Sequence, residues 1–311
     1  MKTNWTRWLG AMLLLGGACA TDAPRPLLRV GFSVGSLANP FYTALIHGAE
    51  AQARQINPSV QLTTLASDYS LHKQQLQLRR FIADKVDLIL LNAADPAKLR
   101  PVIRDAQAAG IVVVAVDVRT EGVDATVLTD NHQAGELACT YLANSLHGQG
   151  RVVIQSGPPV SSVTDRVSGC RSAFARFPAI KVLSYDGDGK ASRWGGMQLM
   201  QTQLERFDDI DAVFAINDPQ ALGADIAARK AGRSRMIIAS VDGAPDIEQA
   251  LKSDSLIRAS ASQDPYLMAR TAVNVGYDIL NGKVPANRMI LLPTTLVTRD
   301  NLPQYRGWNS R

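Results

Sequence analysis

Val86–Val118 reads VDLILLNAADPAKLRPVIRDAQAAGIVVVAVDV. Leu88-Ile89-Leu90-Leu91 and Val112-Val113-Val114-Ala115-Val116 are apolar at every position. A strand with one wet face would alternate; an unbroken run is buried on both faces, as in a parallel sheet covered by helices. Between the runs lies the helix-sized stretch Ala97–Ala109. Parallel neighbours need a crossover of that length. The segment is therefore a strand–helix–strand unit, and its rhythm sets the fold class.

Upstream of it, strands are expected at Arg29–Val34 and Gln61–Ala66, with the two runs themselves extending over Val86–Asn92 and Ile111–Val118. Downstream, they are expected at Ala125–Thr129, Arg151–Gln155, Lys181–Tyr185, Ala212–Asn217, Met236–Val241 and Ile257–Ser262. Helix-sized stretches separate most of them, among them Phe41–Gln55, Leu71–Ala83, Gly135–Leu146 and Ala191–Arg206. This is an α/β chain. Ten strands exceed one compact doubly wound sheet, and 311 residues suit two domains, so two parallel-sheet lobes are expected. Their seam falls near Thr129-Asp130-Asn131, with no Pro/Gly/Ser linker to mark it.

The N-terminus is set apart. Lys2 and Arg7 precede an apolar run from Trp8 to Ala18, and Ala18-Cys19-Ala20 gives a small-x-small cleavage pattern. The run is too short for a transmembrane helix, which needs ~20 residues. Export to the periplasm with residues 1–20 as a cleaved signal peptide is expected, lipid attachment at Cys19 being the lesser alternative. Losing Lys2 and Arg7 takes the formal charge from +5 to +3, and the basic residues are scattered, which argues against a nucleic-acid partner. An oxidising compartment permits a bridge between Cys139 and Cys170. Both fall in helix-like stretches, where buried free thiols are the commoner state, so free thiols are favoured and the bridge stays an open alternative.

In open parallel sheets a ligand sits beyond the carboxyl ends of the strands. Those ends here carry Asn39, Phe41 and Tyr42 after the first strand, and Asp117 after the run of valines. Arg166 follows a third, and Asn217-Asp218 and Asp242-Gly243 follow two more. Carboxylates, amides and a guanidinium fork match vicinal hydroxyls, while aromatic faces cover the C–H side of a sugar.

Asn39-Pro40-Phe41-Tyr42, Ser162-x-x-x-Arg166-x-x-Gly169, Asn217-Asp218-x-x-Ala221-Leu222-Gly223 and Asp242-Gly243-x-x-Asp246 stand in one order and register. In that arrangement the chain resembles the ribose- and galactose-type periplasmic binding proteins of sugar ABC importers, over about Arg29 to Arg299. The resemblance implies ligand contacts from Asn39, Phe41, Tyr42 and Asp117 in one lobe and from Arg166, Asn217, Asp242 and Gln263 in the other. It implies three hinge crossings, near Asp130, Gln263-Asp264 and Leu292–Thr295, so that the lobes are discontinuous. Residues 27–130 with 264–292 would form the first lobe, and 131–263 with 293–311 the second. It implies further a monomer that delivers a sugar or polyol to an inner-membrane ABC permease; the alternative is delivery to a chemoreceptor or kinase. No cofactor or metal is implied.

Two positions depart from the family pattern. Val118 follows Asp117 where arginine is usual, and Gly35 stands where a hydroxyl residue is common. A Val118 side chain facing the ligand would disfavour ribose and favour a deoxy or apolar ligand position. Enzymatic readings lack their motifs: there is no G-x-G-x-x-G after the first strand and no phosphate-binding G-x-x-x-x-G-K-[ST]. His47, His72, His132 and His147 show no metal-ligand spacing. A binding protein rather than an enzyme is expected.

Overall fold

The computed structural model describes residues 23–37 and 40–308. The expected signal peptide with Cys19, and the candidate Asn39, lie outside the described residues. The chain forms β1 (Arg29–Val34), α1 (Pro40–Ile56), β2 (Gln61–Ala66), α2 (Leu71–Ala83), β3 (Leu88–Leu91), α3 (Arg100–Ala108), β4 (Val112–Val116) and β5 (Ala125–Thr129). It continues with α4 (Asn131–Ser145), β6 (Gln149–Ser156), α5 (Ser161–Phe174), β7 (Ala179–Asp188), α6 (Arg193–Arg206), β8 (Ala212–Ala215), α7 (Asp218–Lys230) and β9 (Ile237–Asp242). The last elements are α8 (Pro245–Lys252), β10 (Ile257–Ser262), α9 (Pro265–Leu280), β11 (Met289–Leu292), β12 (Thr295–Thr298) and a 3₁₀ turn at Leu302–Gln304. No helix among the described residues is long and apolar enough to cross a membrane.

These strands make two six-stranded sheets, in the orders β11-β5-β4-β3-β1-β2 and β12-β10-β9-β8-β6-β7. The chain passes between them after β5, after β10 and between β11 and β12. The molecule is thus a pair of doubly wound lobes with a triple connection. β3 shows why its sequence is unbroken by polar residues: Leu88 and Leu90 pack into the core beneath α1 and α9, while Ile89 and Leu91 pack on the opposite face against Phe81 and Ile103. Burying each such side chain contributes ~1.5–3 kcal/mol.

The second sheet is not purely parallel, because β12 runs antiparallel to β10, with Thr295 opposite Ser262. Only Pro293 and Thr294 separate β11 from β12. The chain therefore enters the second sheet from the hinge side, where the other strands end, and has no room to turn round. Both four-residue strands are additional to the ten read from sequence.

Cys139 and Cys170, whose pairing the sequence leaves open with free thiols favoured, form a buried disulfide between α4 and α5, with a Cα–Cα distance of 5.0 Å. The cause is glycine. A Cβ on Gly135 would lie 1.9 Å from the Arg166 carbonyl oxygen, and one on Gly169 would lie 1.9 Å from that of His132. Backbone-to-backbone contact on both sides brings the two helices close enough for the sulfurs to meet.

Candidate functional site

Strand ends supply the first-lobe side. β4 stops at Val116, and Asp117 turns out of it with φ +68°, a left-handed conformation that costs energy in a non-glycine residue. Asn92, at the end of β3, holds it there: Nδ2 donates to the Val116 carbonyl and to Asp117 Oδ2, both at 3.2 Å. The Tyr42 hydroxyl donates to Asn92 Oδ1 (3.2 Å). Behind them Gln74 Nε2 donates to the Asn92 carbonyl and to Ser33 Oγ, each at 2.9 Å. The buried polar groups that orient Asp117 are thus themselves satisfied, which makes the arrangement rigid.

On the second lobe, α5 projects Arg166 inward, 6 % exposed. Its Nε donates to Asn131 Oδ1 (2.8 Å), and Nη1 to the Ile216 carbonyl (2.7 Å) and Asp242 Oδ1 (3.1 Å). Asp242 ends β9 with φ +137° and also accepts from Gln263 Nε2 (2.7 Å). Gln263 Oε1 in turn accepts from the Thr129 hydroxyl (2.8 Å), so this side chain ties two of the hinge crossings together. Asn217 caps α7, accepting from the Gln220 amide while donating to the Ala191 carbonyl, each at 3.1 Å. Asp218 lies beneath, wholly buried, and accepts from Ser240 Oγ (2.6 Å), Ser260 Oγ (2.7 Å) and the Ala244 amide (2.7 Å).

The two sides face each other across a cavity of about 400 Å³. Its first-lobe side is largely aromatic: Trp308, Phe41, Tyr42 and Tyr69 stand edge to face in series, with centroids 5.7, 5.5 and 6.5 Å apart. The other side is polar. Asp242 pairs with the Arg166 guanidinium at 3.1 Å, Asp117 faces that guanidinium from the first lobe, and an exposed Arg193–Asp246 pair (2.7 Å) stands at the rim.

Burial raises all three buried acids. Asp117 is pushed up to about 6 by desolvation, with Arg166 opposing and Asp242 adding repulsion. Asp218 is pushed up to about 8 by desolvation and then by the Asp242 charge, against its hydroxyl and amide donors. Asp242 is also raised by burial, with Arg166 and Gln263 opposing. With acids outnumbering guanidinium groups, hydroxyls can satisfy the carboxylates without adding charge, whereas a ligand carboxylate would be repelled.

Of the eight candidates, the structure brings Phe41, Tyr42, Asp117, Arg166, Asn217, Asp242 and Gln263 into this lining. The expectation that Val118 faces the ligand is overturned. Its side chain packs with the α2–α3 core, because the left-handed turn at Asp117 sends it behind the sheet. The argument against ribose built on Val118 falls with it. Arg119 does not supply the missing fork either; it pairs with Asp165 of the second lobe at 2.9 Å. At Gly35, a Cβ would meet the Tyr42 hydroxyl at 2.5 Å, so tyrosine fills the space of a side chain there. Asn92, Asn131, Tyr69 and Trp308 were not identified from sequence. Asn92 carried the signal of a strand end; the other three had none that separates them from ordinary helix, loop or tail residues.

Comparison with known proteins agrees with this geometry. The family model described as a periplasmic binding protein domain matches residues 30–284. A ribose import binding protein of Bacillus subtilis is 32% identical over 96% of this chain and 100% of its own. A xylitol-binding protein of Mycolicibacterium smegmatis is 28% identical over 94% of this chain and 84% of its own. A solved ABC transporter solute-binding protein of Bacillus halodurans, with bound myo-inositol, superimposes with a TM-score of 0.80 at 25% identity, covering 90% of this chain and 97% of that one. With two lobes, a polar cleft between them and these matches along nearly its whole length, the chain belongs to the periplasmic binding protein family.

Proposed function

We propose that this protein is the substrate-binding protein of a sugar ABC importer, and that it closes around a neutral sugar or sugar-like polyol. The observation that carries the reading is the cavity itself, about 400 Å³, aromatic on the first-lobe side and lined by buried carboxylates and Arg166 on the other. Ribose, xylitol and myo-inositol, named for relatives, share the feature such a lining selects: several hydroxyls on a small carbon frame. Asn39, Phe41, Tyr42 and Asp117 would contact the ligand from residues 27–130 and 264–292, and Arg166, Asn217, Asp242 and Gln263 from residues 131–263 and 293–311.

In this reading no bond is made or broken. The open form offers half a site on each lobe, and a ligand touching both shifts the population to the closed form. The Arg119–Asp165 pair is one contact that closure would make. The closed monomer would then dock on an inner-membrane permease from the periplasm, reached through cleavage between Ala20 and Thr21. A lipid on Cys19 is the alternative mode of retention, and intact mass of the exported chain separates the two.

A thermal-shift screen tests the function. At a hundredfold excess over its Kd a ligand adds ~2.7 kcal/mol, which raises the Tm by several degrees. At least one pentose, hexose, polyol or cyclitol is expected to do so. A clear shift from an amino acid or peptide, with none from any of those, would contradict it.

A further inference from the structure

After β12 the chain turns back over the hinge. Leu302 is buried in the core of the second lobe. The Tyr305 hydroxyl donates to the Gly243 carbonyl (2.7 Å) and lies 2.7 Å from Ser262 Oγ. Three residues on, Trp308 is 8% exposed and sits in the apolar cluster of the first lobe, edge to face with Phe41. Its indole N–H donates to the Gln263 carbonyl at the hinge (3.1 Å). Trp308 lines two spaces at once. One is the ligand cavity; the other is a cavity of about 420 Å³ behind the hinge, whose walls include Leu267, Pro293 and Asn301.

We propose that Trp308 is a specificity-determining wall of the binding site, a ring delivered by the C-terminal strap that sets the depth of the cavity and offers an apolar face to the ligand. The inference rests on the binding-protein reading above and names a residue that none of the sequence motifs contains. An indole anchored at its N–H, against Phe41 and behind a tethered Tyr305, is held in one pose, so its face costs little entropy to present. Truncation would join the two cavities and wet the aromatic side. Phenylalanine would keep the wall and lose only the hydrogen bond to Gln263.

Trp5 and Trp8 fall in the expected signal peptide, so the mature chain holds Trp194 and Trp308, and Trp194 is 64% exposed. In a Trp194→Phe background, emission reports on Trp308 alone. This protein is titrated with D-ribose, xylitol, myo-inositol and, as an outside class, L-leucine, while melting temperature is followed in parallel. Any compound that raises the melting temperature is expected to change the Trp308 emission. Trp308→Ala should weaken its binding at least tenfold, and Trp308→Phe should stay within threefold of the parent. A stabilising compound that leaves the emission unchanged, and that Trp308→Ala binds within twofold of the parent, overturns the proposal. Stabilisation by L-leucine alone, with the emission responding, keeps the wall and sinks the sugar reading. Should Trp308→Ala not fold, the emission titration and the Trp308→Phe variant decide.

Discussion

Asp218 sits where water does not reach, with two hydroxyls and an amide directed at its carboxyl group. Its value of about 8 and the value of about 6 for Asp117 compare with ~3.9 in an unfolded chain. An acid raised by folding stabilises the folded state only while protonated. That contribution is full below about pH 4 and is lost as pH rises through 6 for Asp117 and 8 for Asp218. The ligand-free protein is therefore expected to lose melting temperature through these groups between pH 4 and 8. Asp218→Asn, which cannot ionise, should flatten the upper part of that fall in scanning calorimetry. A profile superimposed on the parent's between pH 6 and 8 would remove Asp218 from the account. At this scale, what was legible was what parallel-sheet geometry dictates: strand ends converge, so Asp117, Asn217 and Asp242 could be grouped before any coordinates. Where a side chain points after the strand has ended was not legible. Val118 was misread because one left-handed residue reverses the direction of the next side chain, and no periodicity encodes that turn.

The helices show what the motif glycines are for. Gly169 lets α5 touch the backbone of α4, and Gly223 does the same for α7 on α6, where a Cβ would fall 1.9 Å from the Arg193 carbonyl oxygen. Arg166 rides on one of these close pairs and Asn217 caps the other, so the glycines that recur beside them position the site by proximity rather than by contact. Spacing alone placed Gly169 in the motif without giving this reason, and the same omission hid the disulfide, since the approach of two helices is a tertiary fact. The Cys139–Cys170 bridge closes a loop of 31 residues, for which chain entropy gives about 3–4 kcal/mol. Replacing both cysteines by serine is expected to lower stability by roughly that amount, read as a lower urea midpoint with a steeper slope, because the uncrosslinked denatured chain is more open. An unchanged midpoint would mean that the reduced helices pack as well without the bond.

For the molecule as a whole, two lobes could be read from strand count, because ten strands overfill one sheet. The three crossings could not be derived from periodicity and came only with the family resemblance; β11 and β12 are four residues each and too short to stand out. The strap carrying Trp308 was invisible for the same reason, as a tail has no pattern to extrapolate. Among the contacts across the lobes are Arg119 with Asp165 and Thr129 with Gln263. The first is partly exposed and worth at most ~1 kcal/mol, so a ligand that bridges the lobes has to supply most of the bias toward closure. The central claim is that one ligand is held by both lobes at once. It is tested most directly by calorimetric titration of the stabilising sugar into Asp117→Ala, on one lobe, and Asn217→Ala, on the other. The account predicts that each variant loses ~1–3 kcal/mol of binding free energy while still folding. Affinity unchanged in either variant would place the ligand on a single lobe and contradict it.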